Sequence, residues 1–558
     1  MLRTGLVTGL LLAVLGGTSQ AEENPLKYFP LNTAVVIKLK EPDKTLEKAA
    51  ELVDAVQPGM GQRVNPLGDQ LGQLISNPGM IGVDQSKNWY VAVVLSEAGR
   101  PIPVFAIPAT DTAAFVDAIK DDMNSVVHDN WVLYAEKPAE VPAVDGANIT
   151  SLLSGPTAEL FDKTDVGLFI NAGHLTETYA AEVEQMKDQV NDTLNRLQAN
   201  PPPGVDIGKF MPMYTEFVRY FFRAIDDASH LTITASFGSD GVQFEDYLVA
   251  KNGSKCDQWF SSHPAQPIPV LEKLPKGQQL YYGSSGVTSG FMRWALSITS
   301  GFLSEEESGG DVKKAMEALN DVDLQTIAGA MRMGGEAPFI TAVGVMEGKL
   351  GEPFQSAMRA FQTASAELTI NGIRQTTELQ ADAESIGDQK VDVVTVKREV
   401  TDESLDPLGI QKAMNDRMFG PEGMQTRTVF GPERAVTATG TQRDMEKLLS
   451  GLDNSNVNDF AKQTATLPQP ANVIGLIDLP SFYGEMFKLL GSTEGMPFQI
   501  DPSSIDNLNL QQSYMGMAFV TEPHAARFRL EIPVAQIQGC IKVGTVVFVS
   551  FQQQARGF

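Results

Sequence analysis

Two hydrophobic periods alternate along this chain, and the order of their alternation is written twice. Phe29–Lys40, with Val35, Val36 and Ile37 at its centre, reads as a strand, and Pro42-Asp43 opens a helix through Val56 that carries Leu46, Ala49, Leu52 and Val53 on one face. A Gly/Pro/Asn-rich connection from Pro58 to Gly82 follows, with a short helical piece around Leu71 to Ile75. Trp89–Leu95 and Pro103–Ile107, split by Glu97-Ala-Gly-Arg100, form a hairpin. Thr110-Asp111 then caps a helix bearing Ala114, Phe115, Ala118 and Ile119 on one side. A strand at Val166–Ile170, a long helix from His174 to Leu197 and a closing hairpin, Leu231–Phe237 with Val242–Val249, complete the set.

The second half restates this pattern from Gln279. Phe339–Val345 stands where the Trp89 strand stands, Arg434 to Leu449 matches the strand and capped helix at Pro103 to Ile119, and Tyr514–Val520 with Ala526–Ile532 repeats the closing hairpin. The clearest echo sets Ala158–Val183 against Ala465–Phe487. Such self-similarity decides the architecture before any single residue is weighed. The predicted fold class is α+β, two tandem related domains, each a largely antiparallel sheet with helices on one face. The boundaries follow the Pro-rich stretch Ser261–Pro269: a leader over 1–21, a first domain over 22–267, a second over 268–535 and a C-terminal tail over 536–558.

Residues 1–21 place Arg3 before an apolar run from Leu6 to Leu15 and end on Ser19-Gln20-Ala21, the three regions of a secretory leader in order. The expected location is therefore exported, periplasmic or extracellular. No Cys follows the small residues to accept a lipid. Ile541–Phe551 is apolar for too few residues to span a bilayer, so no transmembrane segment is expected after leader removal. The chain has a net charge of −26, and an acidic surface of that size disfavours nucleic acid and anionic lipid as partners. Only Cys256 and Cys540 exist, at similar distances beyond the openings of the two closing hairpins. Either they are bridged, or they are two small buried thiols.

An aromatic-Pro-x-x-Thr-Ala-Val-Val-Ile opening after a leader, repeated strand–helix blocks and the late stretch Ile532–Gly539 together resemble a group of exported bacterial proteins of the kind common in planctomycetes. That group carries no established activity. The resemblance implies secretion and this fold, and adds no catalytic residue.

Local signatures of chemistry do not occur. The five His residues lie far apart, with no H-E-x-x-H or C-x-x-C, so no metal or other cofactor is expected. Gly283-Ser-Ser-Gly286 follows a strand but lacks nucleophile-elbow spacing, and Gly344–Leu350 lacks the phosphate-loop spacer and hydroxyl. Asp453–Asp459 is rich in oxygen ligands but lacks the turning Gly and the bidentate Glu of a calcium loop. What remains is apolar surface. Phe210–Phe222 and Phe291–Leu303 are apolar on nearly every face, which calls for burial against the sheet, or else for a groove or interface. The candidate groove residues are Phe210, Met213, Tyr214, Phe217, Phe221, Phe291, Trp294 and Phe302. The expected function is a non-catalytic binding or structural role in the envelope, with an unknown envelope protein or an apolar ligand as partner. Two alternatives stand beside it: a carrier of an apolar ligand between the domains, and a secreted hydrolase whose site is assembled from distant residues.

Overall fold

The computed structural model describes residues 24–144, 146–200, 211–290, 292, 315, 317–335, 338–364, 367–370, 373–401, 406, 408–420, 422–453, 458–493, 496 and 500–555. The chain divides into two compact units. One runs through Asp43 and resumes over Gly68–Ile170; the other takes Lys44–Leu67 and the chain from Asn171 onward. The fold is α+β, and every pairing between named strands described below is antiparallel.

In the first unit the strands are β1 Thr33–Leu39, β2 Trp89–Leu95, β3 Pro101–Pro108, β4 Met123–His128, β5 Trp131–Glu136 and β6 Val166–Ile170. They lie in the order β6-β1-β2-β3-β5-β4. One face buries Val36, Ala92, Val94, Val104, Ala106 and Phe169 beneath Leu26, Phe29, Ile149 and Phe161. The other is covered at one end by Ile75 and by Phe115 and Ile119 of the helix Thr112–Ile119, whose Asp111 side chain caps it from Ala114 N–H at 3.0 Å.

The second unit holds β7 Ala228–Gly238, β8 Gly241–Ala250, β9 Leu280–Ser285, β10 Asp323–Met333, β11 Ile340–Lys349, β12 Glu367–Ile370, β13 Ile373–Ile386, β14 Gln389–Val400, β15 Met424–Phe430, β16 Arg434–Thr439, β17 Val473–Ile477, β18 Met515–Glu522 and β19 Ala525–Pro533. Their order is β7-β8-β19-β18-β17-β9-β10-β11-β16-β15-β14-β13-β12. Its run β17-β9-β10-β11-β16-β15 reproduces the first unit's β6-β1-β2-β3-β5-β4 strand for strand. Local details follow: Asn171 caps the helix after β6 from His174 N–H, and Asp478 caps the helix after β17 from Ser481 N–H. Those two residues also coincide in the sequence echo of Ala158 with Ala465.

The strand matches inside the second half need correction. Register places β11 where β3 stands and β16 where β5 stands, so Phe339–Val345 is not the counterpart of Trp89–Leu95. That counterpart is β10, whose Asp-Leu-Gln-Thr-Ile-Ala-Gly-Ala-Met sequence is poor in β-branched and aromatic residues and gives little strand signal. The insertion of β12–β14 between the helix Gly351–Ala364 and β15 shifts the alignment further. The predicted long helix from His174 is instead two, Ala172–Thr178 and Ala180–Ala199.

The two closing hairpins, β7–β8 and β18–β19, each turn on two residues and pair through β8 and β19, from Gly241↔Pro533 to Val249↔Ala525. A shift of 284 positions carries Gly238 onto Glu522, Gly241 onto Ala525 and Glu245 onto Arg529. The hairpins are therefore related by a local two-fold normal to the sheet, and it passes through the directly opposed pair Glu245↔Arg529. A symmetric pair would set one residue against itself there; the two halves instead carry opposite charges. Glu245 is 1% exposed. Its carboxylate accepts from Arg529 Nε at 2.7 Å and from Arg527 Nη1 at 2.6 Å.

The same shift carries Cys256 onto Cys540. Because β8 and β19 are antiparallel, Cys256 lies beyond one end of the pair and Cys540 beyond the other, separated by about 30 Å of strand at roughly 3.4 Å per residue. A disulfide needs Cα atoms within about 7 Å. Both thiols are free, and burial raises that of Cys256 to about 11.

Glu245→Ala leaves two half-buried guanidinium groups without their shared anion, Arg527 keeping Glu522, and we expect a loss of about 1.5–3 kcal/mol in urea unfolding. Either single charge reversal, Glu245→Arg or Arg529→Glu, should cost at least as much, and the double swap should recover most of the loss. A double variant no more stable than the sum of the singles would remove the pair from this role.

Candidate functional site

Strand parity sorts β7, β8, β19 and β18 into two faces of unusual character. One face carries Thr232 and Thr234 of β7, Glu245 and Tyr247 of β8, and Arg527 and Arg529 of β19; the first four are buried. The opposite face carries Leu231, Ile233 and Phe237, then Val242, Phe244 and Leu248, then Phe528, Leu530 and Ile532, then Met515, Met517 and Phe519. All twelve are half-buried or exposed. A soluble sheet ordinarily turns its apolar face inward and its polar face to water. In β7, β8 and β19 the sides are exchanged, while β18 turns Ala518 and Val520 inward and is apolar on both faces.

The open face extends along the sheet by register. Leu530 opposes Met517, Met517 opposes Gly475, and Gly475 opposes Tyr282. Phe244, Val473 and Tyr282 are 38%, 39% and 43% exposed along it. Gly329 lies beneath the Tyr282 ring, where a Cβ would sit 2.4 Å from ring atoms, so a glycine is required for that side chain to lie flat. At one rim the helix Lys255–Ser262 sets Phe260 against Ala250 and Ala526. Asp246 is the one ionisable residue in the four-strand patch, and burial, reinforced by Glu245, raises its carboxyl above the usual range. The patch thus offers hydrocarbon contact with a single polar anchor.

The aromatic segments chosen from sequence fare differently. Tyr214, Phe217 and Phe221 are exposed on the helix Met211–Asp227, with Tyr220 beside them. The expectation that this helix is buried all round does not hold: Met211 and Phe222 fill its inward positions, and Arg219 and Arg223 stack over Tyr220 at 5.2 and 5.7 Å. Met213 belongs to the helix, but its side chain lies outside the described residues, as do Phe210, Phe291, Trp294 and Phe302. The strand residues of the open face were missed because alternation alone cannot say which parity faces inward; the charged parity, Glu245, Arg527 and Arg529, reads as the solvent side.

Groups with chemical potential are engaged elsewhere. Among the described residues no cluster of three His, Cys, Asp or Glu side chains is placed to hold a metal ion. His524 Nδ1 lies 2.6 Å from Asp257 Oδ1, and Asp257 also accepts from Gly253 N–H, which with His524 holds its carboxyl below the usual range. That pair ties a hairpin turn to the helix Lys255–Ser262. Lys38, fully buried, donates to the carbonyls of Phe161 and of Thr164 at the end of the helix Gly155–Lys163, and burial lowers its pKa to about 8. In the oxygen-rich loop, Asn458 donates to the Leu271 and Leu274 carbonyls at 2.8 Å; residues 454–457 lie outside the described residues. An open cleft of about 720 Å³ at the far end of the sheet mixes Lys397, Arg398 and Lys412 with Glu399, Asp406 and Asp416, so its charges offset one another.

No family model and no curated protein matches the chain. Among solved structures it is similar to crystal forms III and I of TP0453, at 13% and 12% identity, each alignment covering 50% of this chain and 98% of that chain with a TM-score of 0.24.

The polar parity has one titratable consequence. Burial lowers the His230 pKa from 6.5 to about 4, so the folded protein holds the neutral ring while the unfolded chain takes up a proton as pH falls below about 6.5. Stability contributed by the neutral ring is complete above that pH and is lost towards pH 4, by about 3 kcal/mol for a shift of this size. Urea unfolding of His230→Gln against the parent across that range should show a correspondingly shallower acid decline. Parallel curves would refute it.

Proposed function

We propose that this is an exported, non-catalytic binding protein of the bacterial envelope that holds an apolar ligand, a lipid acyl chain or hydrocarbon of similar girth, along the open face of β7-β8-β19-β18. The exchanged parity carries the reading: an apolar sheet face left open beside a buried polar one makes sense when something other than water covers it. Export rests on the leader at residues 1–21. The extent of the face suits an extended chain, since roughly ten residues of strand at about 3.4 Å each match a long acyl group. Asp246, held towards its neutral form, supplies a hydrogen-bonding point for a polar end of the ligand. We read residues 22–267 and 268–535 as two copies of one module, a reading supported by the direct pairing of β8 with β19.

Competition with the fluorescent probe N-phenyl-1-naphthylamine tests the reading. The mature protein should bind the probe and release it to long-chain fatty acid or phospholipid. Phe244→Asp and Phe528→Asp should each weaken binding at least tenfold, about 1.4 kcal/mol or more. Phe244→Asp should leave the melting temperature nearly unchanged, because that side chain is already exposed. Unaltered probe affinity in both variants would refute this site.

A further inference from the structure

The residues read from sequence as a short tail belong to a helix, Val534–Ala555, continuous from the end of β19. Its Val534–Gln553 stretch is long and apolar enough to cross a membrane by length and composition, yet only 22% of its most apolar window is buried. A core helix of a globular protein would be mostly covered. One face of the helix is anchored: Gln536 accepts from Leu479 N–H at 3.1 Å and donates to the Ser513 carbonyl, while Val543, with Val546 and Val547 beside it, packs on Ile500 and Ile505. The opposite face presents Ile541, Phe548, Val549 and Phe551, between 42% and 61% exposed.

Two further observations set this helix apart. Lys542 is the only Asp, Glu, Lys or Arg from Val534 to Gln553, in a chain that carries 69 acidic side chains against 43 basic ones. The register shift that maps Cys256 onto Cys540 makes Lys255–Ser262 the counterpart in the first half, and that helix is eight residues long with Lys, Asp, Gln and Ser among them. The second copy has therefore lengthened the element and dropped its acidic residue while keeping one lysine and several Gln, Thr and Ser side chains. Packing on its partner helices explains the inward face alone.

We propose that the outward face of Val534–Ala555 docks on a neutral phospholipid surface, lying in the plane of the interface with Ile541, Phe548, Val549 and Phe551 in the acyl region and Lys542 at the headgroup level. At 3.6 residues per turn these four side chains spread over about 160° of the helix circumference and about 15 Å of its length, the broad apolar face of a helix lying in an interface. Lying flat preserves the Val543 packing, whereas spanning would break it. A neutral surface suits a protein whose net charge opposes approach to anionic lipid.

The test is cosedimentation of the mature protein with phosphatidylcholine vesicles, alongside the probe-binding measurement above. The parent protein should sediment with vesicles, with little dependence on salt. Phe548→Ser/Val549→Ser should lower the partition coefficient at least tenfold while leaving probe affinity at the sheet face and the circular dichroism melt unchanged. A single tryptophan introduced as Phe548→Trp should shift its emission to the blue on vesicle addition. Loss of probe binding in Phe244→Asp with vesicle binding retained would support both proposals as separate sites. Absence of sedimentation by the parent, equal sedimentation of the double Ser variant, or a double variant that only converts a dimer to a monomer would each overturn the docking proposal without touching the sheet-face reading.

Discussion

The carboxylate of Glu245 organises one end of the larger sheet. It is buried, and it satisfies two guanidinium groups from the neighbouring strand, Arg527 and Arg529, at the point where the local two-fold crosses the sheet. Taking the carboxylate out of water costs several kcal/mol before pairing, and the two half-buried guanidinium groups offset that cost through close geometry and hydrogen bonding. Arg529 also reaches the Thr466 carbonyl, and Arg527 reaches Glu522, which in turn accepts from Tyr247. The Arg529–Thr466 bond ties one hairpin to the segment that covers it, the Tyr247–Glu522 bond joins the two hairpins, and the Arg527–Glu522 bond braces β19 against β18. The β8–β19 pairing consequently has one register: a slip by a single residue would bring Phe244 or Leu530 into the charged layer.

That constraint explains why an apolar face is left open. When the inward parity of β7, β8 and β19 is committed to threonines, a glutamate, a tyrosine and arginines, the apolar residues of the same strands have nowhere to point but outward. The energy normally gained by burying them is forgone in the isolated protein and is available to whatever covers them. Sequences that violate the inside-out rule in one place while obeying it elsewhere concentrate function there. The first unit and the far end of the second obey it, with Val36, Ala92 and Ala106 inward in one and Ala328, Val345 and Ala438 inward in the other.

Much of the architecture was legible in the sequence, and the reason is chemical. Val166–Ile170, Trp89–Leu95 and the closing hairpins are β-branched, aromatic or strictly alternating, and Asp111 and Thr441 advertise helix starts. The echo of Ala158 with Ala465 aligned the halves at the position that register later assigned. What escaped was β10, diluted by Gly and Ala, and the inserted β13–β14 ribbon, whose alternating charges resemble a solvated loop. The site escaped for a different reason. Attention to the most apolar segments led to Phe217 and Phe221, whereas the informative residue was the buried charge, Glu245, whose environment no local pattern reveals.

The C-terminal helix and the helix after β8 occupy corresponding places and differ in what packing demands of them. In the first half the segment after β8 needs only to cover a rim, and eight polar-flanked residues with Phe260 turned inward suffice. In the second half the segment after β19 is held by Gln536, and its Val543 side satisfies the same packing demand within two turns. Everything beyond that demand was free to change without threatening the fold. A helix already fixed by one face can acquire apolar residues on the other at little structural cost, because exposed side chains contribute little to stability. The cost falls on solubility. An acidic chain with Lys542 alone among twenty residues bears that cost, so the outward face of Ile541, Phe548, Val549 and Phe551 must be offset by a contact that removes it from water.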